Sequence, residues 1–134
     1  MITLEQATTF IAGGEAEASR QGLKLAFAVV DAAGHLVALH RMDGAPWIAP
    51  DVALGKAWTA AAYGAPSAAQ GEKMEELHAF SASISAATHG RFTPQIGGLP
   101  ITDGDAVIGA MGASGGTGQQ DEDVVRSALS TAGA

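Results

Sequence analysis

Two cations, one acid, four histidines and one glycine-rich turn carry the chemical potential of this sequence. Lys56 and Arg91 can each hold a carboxylate, and Asp121 can exchange a proton beside them. The run Gly115-Gly116-Thr117-Gly118 follows a strand-like stretch of small residues and opens the last predicted helix. Glycines let the backbone approach a ligand closely, and a helix N-terminus offers unpaired amides. Amides between Gly115 and Gln119 would stabilise an oxyanion or enolate. With Lys56, Arg91 and Asp121 as catalytic residues, this describes a cofactor-independent lyase, isomerase or hydratase acting on a small carboxylate or carbonyl compound. Each residue also has a plainer role: Lys56 as a surface charge, Arg91 as a brace for Asp43 or a carbonyl, Asp121 as a helix-stabilising residue or a partner for Arg91.

Several chemistries are excluded by spacing. The glycine turn lacks the Lys-Ser/Thr ending of a phosphate-binding loop and has the wrong pattern for a dinucleotide fingerprint. Asp121 and Glu122 beside it would repel a polyphosphate. His35, His40, His78 and His89 do not have zinc-hydrolase spacing. The chain has no cysteine, which removes disulfides, thiolate nucleophiles and covalent c-type haem attachment. No base and orienting acid accompany Ser114 or Thr117, so no serine triad is read. A formal charge of -7 argues against nucleic acid and against an anionic membrane surface as partners. The N-terminus lacks the basic start and apolar run of a signal peptide, so a cytoplasmic location is expected.

The elements that must position these residues can be read in order. Thr3 and Gln6 predict a capping box for a helix over residues 4–20, with Leu4, Ala7, Ile11, Ala12 and Ala18 on its apolar face and Gly22 as its stop. Residues 24–31 and 35–41 predict a β-hairpin turning at Asp31-Ala32-Ala33-Gly34. A helix after Pro50 carries Lys56 and runs to Gly64, and a short helix starts at Ser67, weakened by Gly71. Residues 72–95 resist assignment. Gly97, Gly98 and Pro100 suit an edge or irregular strand, and Asp103-Gly104-Asp105 turns it into the next. The last helix begins near Gly118, with Val124, Val125, Ala128 and Leu129 inward. This predicts one domain over residues 1–134 of the α/β (α+β) class, a central antiparallel sheet flanked by helices. An alanine-rich core with 5% aromatic residues buries little area per residue, so added burial in a homodimer or higher homo-oligomer is expected.

The ordered motifs resemble one family. Ala28-Val29-Val30-Asp31-Ala32-Ala33-Gly34-His35-Leu36, Arg41-Met42-Asp43-Gly44-Ala45, Gly55-Lys56-Ala57-Trp58-Thr59-Ala60-Ala61, Gly97-Gly98-Leu99-Pro100-Ile101 and the run from Gly109 to Asp121 together look like the GlcG/HbpS-like haem-binding family, which also occurs as the carboxy-terminal domain of PduO-type proteins. The resemblance implies a profilin-like sheet, homo-oligomers and haem as ligand, in haem handling, degradation or sensing. A non-catalytic accessory role in an oligomer is a further reading. Haem would need an axial ligand, an apolar slot and a counterpart for its propionates. His78 or His89 is the favoured iron ligand, because both lie in the pocket-forming stretch where this sequence departs from the family's Leu-His-Ala-Ser-Asn-Gly-Gly-Arg-Phe pattern. Gly115, Gly116 and Thr117 are the cofactor-binding turn in this reading. Trp47 and Trp58 can line a planar slot or fill a core.

Overall fold

The computed structural model describes residues 1–131, so the last three positions of the predicted 1–134 domain lie outside the described residues. Its architecture follows from how small side chains divide between the two faces of a sheet. Helix α1 (Leu4–Arg20) leads into strands β1 (Ala26–Asp31) and β2 (Leu36–Arg41). Helices α2 (Ala49–Tyr63), α3 (Ser67–Met74) and α4 (His78–Ala87) follow, then β3 (Gly98–Asp103), β4 (Ala106–Ser114) and α5 (Gly118–Thr131). The strands form a four-stranded antiparallel sheet in the order β2-β1-β4-β3.

Alternation along β1 sorts the core. Leu25, Phe27 and Val29 point to one face, where they meet Phe10 and Ile11 of α1 and Val124, Val125 and Ala128 of α5. Ala26, Ala28 and Val30 point to the other, where α2 covers them chiefly with alanines, among them Ala49, Ala53, Ala57 and Ala60. Small residues on that face bring α2 down onto the strands. A Cβ on Gly112 would collide with the Ala53 carbonyl, and one on Gly98 with the Lys56 carbonyl. This close approach makes α2 the element around which both sides of the molecule are organised.

The capping box at Thr3 and Gln6 is present, with reciprocal bonds of 2.8 and 3.1 Å. The inward face of α1 differs from the expected one. Leu4 and Ala12 are exposed, while Phe10 and Gly14 are buried. Gly14 sits on the Phe27 ring and Gly13 on Ala128 of α5, so the glycine pair lets α1 pack closely on both neighbours. Gly71 likewise does not break α3; it brings that helix against the Pro94 carbonyl.

The 72–95 stretch holds a third helix where two helical segments were expected between the hairpins. The serines and threonine that resemble a loop composition turn their hydroxyls back onto the helix: Ser83 Oγ donates to the Ala79 carbonyl at 3.0 Å and Thr88 Oγ1 to that of Ile84 at 2.9 Å. Among the described residues β3 pairs only with β4, so Pro100 sits on an edge strand as its chemistry requires. In β2 the strict alternation fails, because a bulge opposite Val29 and Val30 breaks the register and lets Val37 and Ala38 both pack on the core.

Candidate functional site

The predicted catalytic residues fall into two places. Lys56 and Asp121 meet in the interior, where Lys56 Nζ lies 3.0 Å from Asp121 Oδ2 and 3.0 Å from the Ala113 carbonyl oxygen. Both are almost wholly buried, at 4% and 1% exposure. Lys56 is thus no surface charge, and it is Lys56, not Arg91, that partners Asp121. Burial holds the Asp121 carboxyl above the usual carboxylate range, against the pull of Lys56 and of the Gly116 amide. Gly97 is glycine because a Cβ there would lie 2.8 Å from Lys56 Nζ, so the ammonium is packed in on that side as well.

The glycine turn is closed by its own chain. Gly116 N donates to Asp121 Oδ1 at 2.9 Å, and Thr117 N to Gln120 Oε1 at 2.9 Å, while Thr117 Oγ1 accepts from Gln120 N at 3.2 Å. This is a capping box with an added aspartate. Two of the amides expected to face a ligand are therefore spent on holding the start of α5. The expected convergence of Lys56, Arg91 and these amides on one substrate is not what the fold builds: a helix of about 100° per residue puts Lys56 about 200° around α2 from both Leu54 and Trp58, and Arg91 sits with those two.

Arg91 lines a groove on the other side of α2. A cavity of about 390 Å³ is bounded by Gly34, His35 and Leu36 of the hairpin, by Leu54 and Trp58 of α2, and by Thr88, His89 and Arg91 beyond α4. A second cavity of about 350 Å³ shares Leu54, His89 and Arg91 and reaches Asp51 and Gly90. The sequence motifs behind it are local. Leu54 and Trp58 stand at i and i+4 on one helix face. The 91–94 segment is strapped to α2 by Thr59, whose Oγ1 accepts from Thr93 N at 2.8 Å, and Phe92 is buried edge-on to Tyr63 with ring centroids 6.0 Å apart.

His89 reaches the groove through an unusual backbone. It is the one non-glycine residue with positive φ among the described residues, at 56°, followed by Gly90 at 80°. Gly90 N donates to the Ser85 carbonyl at 2.7 Å and Phe92 N to Thr88 Oγ1 at 3.0 Å, so the left-handed turn is locked from both sides. His78 stands at the other end of α4, a helix of 10 residues, hence about 15 Å away, and lines neither cavity. Of the two alternative iron ligands, His89 lines the groove and His78 does not. Trp47 is 78% exposed and stands apart, whereas Trp58 forms the groove's aromatic wall. His35 is among the four candidate histidines, but Leu54 is signalled only by its i, i+4 spacing to Trp58.

The family model for the haem-degrading protein HbpS-like family matches residues 2–130. The chain belongs to this HbpS-like family. It is 34% identical to the protein GlcG of Escherichia coli, over 85% of this chain and 81% of that one. The structure of the Klebsiella pneumoniae protein ORFY superposes with a TM-score of 0.90 at 31% identity, covering 99% of this chain and 91% of that one. A double mutant of Streptomyces reticuli HbpS superposes with a TM-score of 0.85 at 27% identity, covering 97% and 86%. The four-stranded antiparallel sheet with its five helices is thus the fold of these HbpS-like relatives. No helix among the described residues is long and apolar enough to cross a membrane.

Proposed function

We propose that this protein binds haem in the groove beside α2, in the service of haem handling. The observation that carries the reading is one cavity that gathers an imidazole, a guanidinium and an indole in a chain of the HbpS-like family: His89, Arg91 and Trp58. These residues fit the group. His89 offers an imidazole nitrogen to iron, Arg91 a planar cation for a propionate carboxylate, and Trp58 with Leu54 and Leu36 an apolar wall for the macrocycle. Bound haem would supply a redox-active iron; the chain's part is to seat it, orient it and shield one side from water. The glycine turn at Gly115, Gly116 and Thr117 then serves the seat indirectly, by fixing α5 and the Lys56–Asp121 pair under α2.

Self-association into a homodimer or larger homo-oligomer belongs to the same reading. Leu36, Leu39, Trp47 and Phe80 are large apolar side chains left at 37% exposure or more, and α4 buries no residue at all within its own chain.

The test is a titration of purified apo-protein with haem. A stoichiometric Soret shift is expected, lost in His89→Ala and retained in His78→Ala. Arg91→Ala should weaken binding by about 10-fold or more, the worth of a charge-assisted hydrogen bond. No Soret shift under either oxidising or reducing conditions would defeat the reading.

A further inference from the structure

Two opposite charges face one cavity beside α2 without pairing. Asp51, in the first turn of α2, and Arg91 both line the cavity of about 350 Å³. Every ion pair among the described residues uses Glu15, Glu17, Asp31, Asp121, Glu122 or Asp123, so Asp51 and Arg91 are paired neither with each other nor with another residue. Gly55, which lines the same cavity, fixes their placement. A Cβ on Gly55 would stand 3.2 Å from the Arg91 carbonyl oxygen and run into Thr93 Oγ1, so the backbone of Arg91 lies directly on α2. Asp51 and Gly55 stand at i and i+4, about 6 Å apart along the helix axis. This polar cavity shares Leu54, His89 and Arg91 with the apolar one of about 390 Å³ that Trp58 and Leu36 wall.

We propose that the joined cavities hold one apolar α-amino acid, its ammonium on Asp51, its carboxylate on Arg91 and its side chain against Trp58 and Leu54. A carboxylate and a guanidinium held apart in one cavity complement a ligand that carries both opposite charges on neighbouring atoms. A free carboxylate without an ammonium meets repulsion from Asp51, and an amine without a carboxylate meets it from Arg91, so the pair selects the zwitterion over either half. With a hydrogen bond of about 2.8 Å at each end, an α-amino acid bridges side chains up to roughly 8 Å apart. The indole of Trp58 and the leucines beside it give an aromatic side chain its best partner. This site goes beyond the haem reading and does not rest on it. The two ligands share Arg91 and so exclude one another.

The experiment is a calorimetric titration of the whole apo-protein with L-phenylalanine and with three relatives of it: hydrocinnamate lacks the ammonium, phenethylamine lacks the carboxylate, and L-alanine lacks the ring. L-Phenylalanine should bind one to one, and each of the other three about 10-fold or more weakly. Asp51→Asn should weaken L-phenylalanine by a similar factor without weakening hydrocinnamate. Arg91→Gln should weaken L-phenylalanine without weakening phenethylamine. Both side chains are exposed, so each variant should keep the parent's thermal midpoint. Equal affinity for L-phenylalanine and hydrocinnamate, or a loss in Asp51→Asn that extends to hydrocinnamate, overturns the zwitterion site. No heat from L-phenylalanine overturns it as well, and leaves the haem reading intact. Saturating L-phenylalanine should weaken haem binding; haem bound with undiminished affinity overturns the shared use of Arg91. A parent protein that binds L-phenylalanine but shows no Soret shift with haem supports this site and defeats the haem reading alone.

Discussion

Replacing Lys56 by methionine should cost stability in a way that depends on pH, because it leaves a carboxyl buried without its cation. In the parent, Lys56 Nζ sits 3.0 Å from Asp121 Oδ2, and both groups are almost fully out of water. Removing one partner of such a pair typically costs about 3–5 kcal/mol, a large share of the roughly 5–15 kcal/mol that holds a domain together. Asp121 can relieve part of this by taking up a proton. Burial already raises its folded value above the roughly 3.9 of an unfolded aspartate, and Lys56 is the larger of the two groups that oppose the rise. Loss of Lys56 therefore moves the folded value further up. For an acid raised by folding, the native state binds more protons than the unfolded chain between the two values. The favourable term is full below the unfolded value and lost as pH rises through the folded one. The cost of Lys56→Met, taken against the parent at each pH, should then be about 3 kcal/mol or more near pH 8 and shrink by about 1.4 kcal/mol for each unit by which the mutation raises the folded value. Urea unfolding at a series of pH values measures this directly. Lys56→Met with Asp121→Asn should restore part of the loss, since no ionisable group is then left unpaired. A cost below about 1 kcal/mol that stays flat between pH 5 and 8 would refute the reasoning.

Other perturbations probe the groove and the packing around α2. His89→Gly should raise stability by roughly 0.5–1 kcal/mol, because glycine takes a left-handed backbone without strain, while abolishing the haem-dependent Soret shift; lower stability on thermal unfolding would count against a backbone strained for the imidazole's sake. Gly34→Ala forces a methyl onto the Trp58 ring at a φ of 84°, and should cost about 1–3 kcal/mol and weaken haem binding together, read by urea unfolding and titration. Gly112→Ala would drive a Cβ into the Ala53 carbonyl and should cost more than about 2 kcal/mol in the same unfolding assay. Light scattering during size exclusion should give a mass at least twice that of one 13.4 kDa chain, whereas a monomer at all concentrations would leave the exposed apolar side chains without a partner.

Local chemistry was legible before any tertiary structure. The capping box at Thr3 and Gln6, the hairpin turn at Asp31 to Gly34, the edge character of the Pro100 strand and the start of α5 near Gly118 all rest on interactions spanning a few residues, which the sequence states directly. So does the antiparallel class, since two short turns join neighbouring strands. What only the tertiary structure decided is which long-range neighbours each polar group meets. Lys56 and Asp121 are 65 residues apart, and no spacing rule says that α2 drops onto the sheet far enough to bury one against the other. That descent depends on Gly98 and Gly112 lying under the backbone of α2, two glycines whose strand positions are legible in one dimension while the helix pressed onto them is not. The same descent turns Leu54 and Trp58 outward beside His35, His89 and Arg91, and so makes a groove of residues that no single motif contains. Side chains close in sequence share a site through helix and strand period; those far apart share one only when packing brings their elements together, and here the absence of side chains at Gly98 and Gly112 set that packing.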